Sequence, residues 1–316
     1  MPAISATAPG KVILFGEHAV VYGQPAIAAP VAQVRARAVI MAEPRFPAGS
    51  LRIQAPDIGV ETWFADLPED DPLGVAIKQV LAKIGVEDPP ALTVRVTSSI
   101  PVAAGLGSGA AVSIAVIRAL AGFLGRRLRD EEVCSLAFEV EKIHHGTPSG
   151  IDNTVIAYAR PVYFEHRQDG NLIEMFSVAS PFTLAIGDTG VRAPTLNTVG
   201  DVRTAWQADP ERVGRLFEQI GVLVRSARQA IESGAIESLG SLMNKNHALL
   251  AELGVSSIEL ERLVAAARQA GALGAKLSGG GRGGNMIALV SAEMVEPVCQ
   301  ALRAASANNT IVTTIK

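Results

Sequence analysis

The stretch "LTVRVTSSIPVAAGLGSGAAVS", Leu92 to Ser113, constrains the fold of this chain more than any other. Leu92, Val94 and Val96 alternate with Thr93, Arg95 and Thr97, which predicts a strand with one buried face. Gly105, Gly107 and Gly109 follow, and Ala110 to Leu124 then reads as an alanine-rich helix. The first N–H groups of such a helix have no partner within it, and its dipole favours an anion there. Glycine lets the backbone approach phosphate oxygens closely. Gly105-Leu106-Gly107-Ser108-Gly109-Ala110 also matches the G-x-G-x-x-A form of a dinucleotide fingerprint. A kinase loop and a packed turn that binds nothing fit the same residues.

Two of these readings make further demands. A dinucleotide fold needs a β-branched strand ending in an acid about 20 residues on. The chain offers "GFLGRRLRDEEV" there, whose acids open a helix instead. A P-loop needs lysine after its last glycine, and none follows Gly109. What remains is a glycine loop and helix end that cradle a nucleotide by another design.

Strand and helix patterns alternate along the 316 residues, a length for one large or two medium domains. Ile4 to Thr7 reads as a short strand closed by a Pro9-Gly10 turn, and Val34 to Ala42 as a strand. Leu73 to Ile84 has helical spacing, and a helix opens at Asp130 and runs to about His144. Val162 to Phe164 and Phe182 to Ile186 read as strands, and the chain beyond Pro210 is mostly helical. Ser256 and Glu259 form a capping-box pair. A second glycine loop, Ser278 to Gly284, separates two apolar runs. A boundary at Phe176 to Pro181 divides the chain into 1–178 and 179–316.

Aromatic residues are only 4% of the chain against 48% hydrophobic, so aliphatic side chains build the core. The net charge of −3 argues against a general nucleic-acid binder. Cys134 and Cys299 are too few for a disulfide scaffold and read as small buried hydrophobes. The apolar stretch Val112 to Leu124 is broken by Arg118 and Gly122 and is too short to span a bilayer. The expectation is a cytoplasmic protein without a membrane partner.

Three further motifs narrow the choice. "PGKVILFGEHAVVYG", Pro9 to Gly23, holds Lys11, Glu17 and His18 in a turn-rich segment. "HGTPSGIDN" contains Asp152, and "KLSGGGRGGNMIAL", Lys276 to Leu289, is the second glycine loop. Pro9 to Gly23, the Gly105 to Ala110 loop and Lys276 to Leu289, in this order, resemble the GHMP kinase family; "GEHAVVYG", "HGTPSGIDN" and "MNKNHALLAELGVSS", Met243 to Ser257, resemble its mevalonate kinase branch. The resemblance covers most of the chain.

The resemblance implies an α+β fold in two lobes: an N-terminal α/β nucleotide lobe and a C-terminal ferredoxin-like sandwich. It implies phosphorylation of the 5-hydroxyl of (R)-mevalonate by ATP with Mg²⁺. Asp152 is then the acid that takes the hydroxyl proton, although by itself it reads as an Asx-turn. Lys11 favours that carboxylate and steadies charge on the attacking oxygen and the γ-phosphate. Pro101, Ala103, Ala104, Gly105, Leu106, Gly107, Ser108, Gly109 and Ala110 hold the nucleotide. Glu17, His18, Thr195 and Gly280 contact the substrate, and Glu141 and Ser108 hold the metal. His144 and His145, adjacent on a helix, point to different faces and are structural.

The chain departs from the family pattern twice. Gly109 stands where these kinases commonly carry a second serine that holds the metal. Arg282 stands among the glycines of the last loop, where it either reaches a phosphate or pins the loop by a salt bridge. The family is often dimeric, and prenyl diphosphates act on it as feedback inhibitors at the nucleotide site. A sister kinase such as phosphomevalonate kinase, a decarboxylase relative and a non-catalytic ligand sensor are the rival readings.

Overall fold

A computed structural model of the chain describes residues 3–101, 105–145, 148–167, 170–193 and 195–316. The chain forms two units, each assembled from separated stretches. The first holds Met1–Gly10, Val34–Pro101 and Gly107–Ala159. The second holds Lys11–Gln33, Val102–Leu106 and Arg160–Lys316. Strands β1 (Ala3–Phe15) and β2 (Pro25–Ala42) contribute to both.

In the first unit, β3 (Leu51–Ala55) runs parallel to β5 (Leu92–Ser98) and antiparallel to β4 (Val60–Trp63). The later half of β2 pairs antiparallel with β5, Ala36 opposite Ser98 and Ala42 opposite Leu92. Helices α1 (Pro72–Ile84), α2 (Ser108–Phe123), α3 (Asp130–His145) and α4 (Ile151–Tyr158) pack on one another. Helix α2 is apolar nearly all round, with Ala111, Ile114, Ala115, Ile117 and Leu120 fully buried. Such a helix belongs in the middle of a layer rather than on a surface. Its many alanines let neighbouring helices approach closely. Asp71 caps α1 by accepting from the Gly74 N–H at 2.9 Å.

In the second unit, β6 (Val162–Glu165) pairs antiparallel with the start of β2 and with β7 (Leu172–Met175). Four more strands form an antiparallel sheet: β8 (Phe182–Asp188), β9 (Gly274–Ser278), β10 (Asn285–Val290) and β11 (Asn309–Ile315). Their spatial order is β11-β8-β10-β9, which is the ferredoxin-like order 4-1-3-2. Helices α5 (Thr195–Ala208), α6 (Pro210–Ser233), α7 (Ile236–Glu252) and α8 (Ile258–Gln269) fill the connection from β8 to β9. Helix α9 (Val295–Ala304) joins β10 to β11. The α+β class is the one expected, with these four strands in the C-terminal sheet.

Strand β9 lies at a sheet edge, and α7 covers it. The edge N–H groups of Ala275 and Leu277 donate to Asn244 Oδ1 at 3.0 Å and His247 Nδ1 at 3.2 Å. Two side chains thus replace a missing strand. Gly240 and Gly274 permit the crossing: a Cβ on either would fall within 2.3 Å of backbone on the other side.

Three local expectations are corrected. Pro9-Gly10 does not turn; β1 runs through it, as an edge position tolerates a missing N–H. Ser257, not Ser256, caps α8, accepting from the Leu260 N–H at 3.4 Å. Cys134 is half-buried and hydrogen-bonded rather than a plain hydrophobe. Among the described residues no helix is long and apolar enough to cross a membrane.

Candidate active site

Each unit carries its own set of candidate residues. In the first, Gly107 takes a left-handed conformation and starts α2 without a side-chain cap. The first intrahelical bond in α2 runs from Ala111 N–H to Gly107 O at 3.0 Å. Ser108, Gly109 and Ala110 therefore present their N–H groups at the positive end of a buried helix. That end is suited to phosphate. Glu141, on α3, is 5% exposed and comes to the same place. A Cβ on Gly109 would lie 3.5 Å from Glu141 Oε1.

Mg²⁺ takes hard oxygen ligands, commonly one or two carboxylates with phosphate oxygens and water. A buried carboxylate beside a hydroxyl-bearing helix end fits such an ion. Gly109 supplies no side-chain donor, and the space over it is large enough for a Cβ.

Asp152 is the second residue of α4 and is half-buried. Its turn is fixed by its neighbours. Thr154 Oγ1 donates to Gly150 O at 2.6 Å. Asn153 is 3% exposed, and its Nδ2 donates to Cys134 O at 3.2 Å and to Cys134 Sγ at 3.1 Å. Through Cys134 the helix of Asp152 is tied to the helix of Glu141.

In the second unit, Lys11 is buried on β1, and its N–H donates to Leu106 O at 2.9 Å. Gly16 turns the chain at φ 97°, where a Cβ would strike Pro25 O and Ala26 at 2.5 Å. Glu17 and His18 follow and are both buried. Glu17 pairs with the fully buried ammonium of Lys276 on β9. Burial pushes the Glu17 carboxyl up and the Lys276 ammonium down, and their pairing opposes both.

His18 Nε2 lies 3.0 Å from Gly280 O. Burial lowers its pKa to about 4, so the ring is neutral near pH 7. A carbonyl only accepts, so Nε2 carries the proton and Nδ1 is left as an acceptor. Ser278 Oγ donates to Ile13 O at 2.9 Å and accepts from Ile13 N–H at 3.0 Å. Residues 276 and 278 share a face of β9, and both hold the first motif.

The loop after β8 is knit to the last glycine loop. Thr189 donates to Gly284 O through both N–H and Oγ1, at 2.9 Å each. Arg282 adopts φ 56°, donates its N–H to Val255 O at 2.7 Å, and pairs its guanidinium with Asp201 and Gly254 O. The salt bridge expected of it is thus present, to Asp201.

Pro101 is half-buried, Gly105 exposed at φ 79°, and Leu106 and Ala110 buried. Ala103 and Ala104 lie outside the described residues, as do the side chains of Thr195, His144 and His145. The sequence reading missed Lys276, Ser278 and Asn153. Lys276 had a signal: a lone lysine in "LGAKLS", an apolar strand segment, is buried only when paired.

Family models for the GHMP kinases N terminal domain and GHMP kinases C terminal match residues 73–160 and 227–308. A mevalonate kinase of Thermococcus sibiricus is 39% identical over 311 residues, covering 93% of this chain and 91% of its own. One from Pyrococcus furiosus is 38% identical, covering 96% and 93%. The structure of L. major mevalonate kinase in complex with R-mevalonate superposes with a TM-score of 0.87 at 32% identity, covering 99% of this chain and 95% of that one. Both family models match, and relatives 39% and 38% identical match over more than 90% of either chain, so the chain belongs to the GHMP kinase family.

Proposed function

We propose that this protein transfers the γ-phosphoryl group of ATP to the 5-hydroxyl of (R)-mevalonate, giving 5-phosphomevalonate and ADP. The observation that carries the reading is the buried Glu141 carboxylate set against the open N-terminus of α2 at Ser108 and Gly109. That pairing of an anion-binding helix end with a hard-metal ligand suits a metal-bound triphosphate. The relatives named above are mevalonate kinases, which narrows the alcohol.

Pro101, Ala103, Ala104, Gly105, Leu106, Gly107, Ser108, Gly109 and Ala110 hold the nucleotide, with the N–H groups of Ser108, Gly109 and Ala110 at the start of α2 turned to its phosphates. Glu141 and Ser108 hold Mg²⁺, which when bound draws charge off the β- and γ-phosphate oxygens. Asp152 accepts the 5-hydroxyl proton as that oxygen bonds to the γ-phosphorus and the bond to the ADP oxygen breaks. Lys11 stabilises negative charge on the transferred group. Glu17, His18, Thr195 and the Gly280 backbone shape the mevalonate pocket. Residues 1–178 carry the nucleotide and catalytic groups, and 179–316 complete the substrate side. The same helix end suits a prenyl diphosphate acting as a competing anion, and a homodimer and a cytoplasmic setting accompany the reading.

The test is ADP release with ATP, Mg²⁺ and, in turn, mevalonate, phosphomevalonate, galactose and homoserine, beside Asp152→Asn. Turnover on mevalonate, lost by at least about 100-fold in the variant, is expected. Preference for phosphomevalonate or another alcohol moves the pocket assignment. Binding of ATP and mevalonate without turnover overturns the enzyme reading.

A further inference from the structure

Lys276 has no part in the chemistry above, yet it is among the largest fully buried side chains of the protein. A charge in that position is costly unless it is paired. Its ammonium donates to Glu17 Oε1 and, at 2.5 Å, to Leu277 O. The Glu17 side chain is itself 1% exposed, and its other oxygen, Oε2, has no hydrogen-bond partner among the described residues. Ser278, two residues on, holds Ile13 by two hydrogen bonds. The segment bearing Glu17 is therefore held at both ends of one strand face.

We propose that Lys276 is a positioning residue for substrate recognition: by holding Glu17 Oε1 it fixes the carboxylate so that Oε2 accepts a hydrogen bond from a hydroxyl of the substrate. His18 stands next in the chain, with Nε2–H engaged by Gly280 O and Nδ1 presented as an acceptor. An ionised carboxylate oxygen only accepts, so Oε2 selects a hydroxyl and rejects a second carboxylate, which donates nothing. Without Lys276, burial protonates Glu17 and converts one oxygen from acceptor to donor. The selection is lost along with the pairing.

This inference rests on the mevalonate reading, so binding is measured first on the unaltered full chain by calorimetry. Absence of mevalonate binding there overturns the substrate reading and this proposal with it, before any variant is compared. The variants are Lys276→Met, Lys276→Arg, Glu17→Gln and the pair Glu17→Gln/Lys276→Met. Lys276→Met leaves a buried carboxylate unpaired and risks the fold; the neutral pair does not. The expected result is mevalonate affinity weakened at least about tenfold in the pair variant, no further than in Glu17→Gln alone. Lys276→Arg recovers part of the loss, and the KM for ATP stays within about twofold. The kcat/KM for mevalonate in folded Lys276→Met gains a pH dependence that follows Glu17 ionisation. Mevalonate affinity in the pair variant equal to that of the unaltered protein overturns the proposal. Equal losses for ATP and mevalonate make the pair structural only and also overturn it.

Discussion

Gly109 lies against Glu141, and a Cβ on the glycine would stop 3.5 Å from Glu141 Oε1, an ordinary contact. The backbone there is helical, and among the described residues nothing else crowds the position. Gly109→Ala is expected to raise stability by about 0.5–1 kcal/mol through helix propensity. Gly109→Ser adds a hydroxyl beside the carboxylate and is expected to lower the half-saturating Mg²⁺ concentration about three- to tenfold. Thermal melting checks the first effect, and Mn²⁺ binding by electron paramagnetic resonance the second. Unchanged metal affinity in the serine variant argues that Glu141 is not at the metal.

His18 makes stability depend on pH. Its folded pKa, about 4, lies below the ordinary 6.5 because the ring is buried. The unfolded chain therefore takes up the proton first as pH falls, and stability is lost between pH 6.5 and about 4. The loss reaches about 2 kcal/mol by pH 5. His247 is lowered for the same reason and acts in the same direction. Urea unfolding at pH 7.5 and pH 5, compared with His18→Asn, isolates the His18 share. An equal pH dependence in the variant counts against a neutral His18.

Arg282 combines a left-handed backbone with a tether to Asp201. The ion pair is substantially exposed and contributes little. A non-glycine residue at positive φ costs about 1–2 kcal/mol. Arg282→Gly removes both tether and strain and should stay within about 1 kcal/mol of the natural protein. Arg282→Ala keeps the strain and should be the less stable of the two. With the guanidinium paired to Asp201, the KM for ATP should change by less than about twofold. A tenfold rise would restore the phosphate reading.

Asn153 clamps the first turn of α4 to Cys134, one residue from Asp152. Asn153→Ala should lower kcat about 10- to 100-fold with both KM values within twofold, since a small displacement of a catalytic group costs orientation. Cys134→Ser retains the carbonyl acceptor and an oxygen in place of sulfur, and should remain close to normal. Steady-state kinetics with each substrate separates these outcomes. An unaltered kcat in a folded Asn153→Ala would reduce the clamp to packing.

Local chemistry made parts of this protein legible in the sequence. The alternation of Leu92, Val94 and Val96 marks a strand because side chains alternate across a sheet. Glycines before an alanine-rich run mark the opening of α2 because only glycine readily takes the left-handed turn at Gly107. The motifs around Glu17, Asp152 and Gly280 carried the family, since each packs its function into a few consecutive residues. What the sequence left open were relations between distant residues. Pro9-Gly10 became strand interior because β1 has neighbours that no local rule contains. The role of "MNKNHALLAELGVSS" lies in the fold, where Asn244 and His247 cap the edge of β9 beneath α7. Arg282 finds its partner in Asp201, 81 positions away in the chain. Lys276 and Glu17 are 259 positions apart, and only folding brings them into one low-dielectric environment. Periodicity and turn chemistry are properties of neighbours in the chain and can be read along it. Burial, pairing of charges and the capping of a sheet edge are properties of neighbours in space, and these the tertiary structure alone decided.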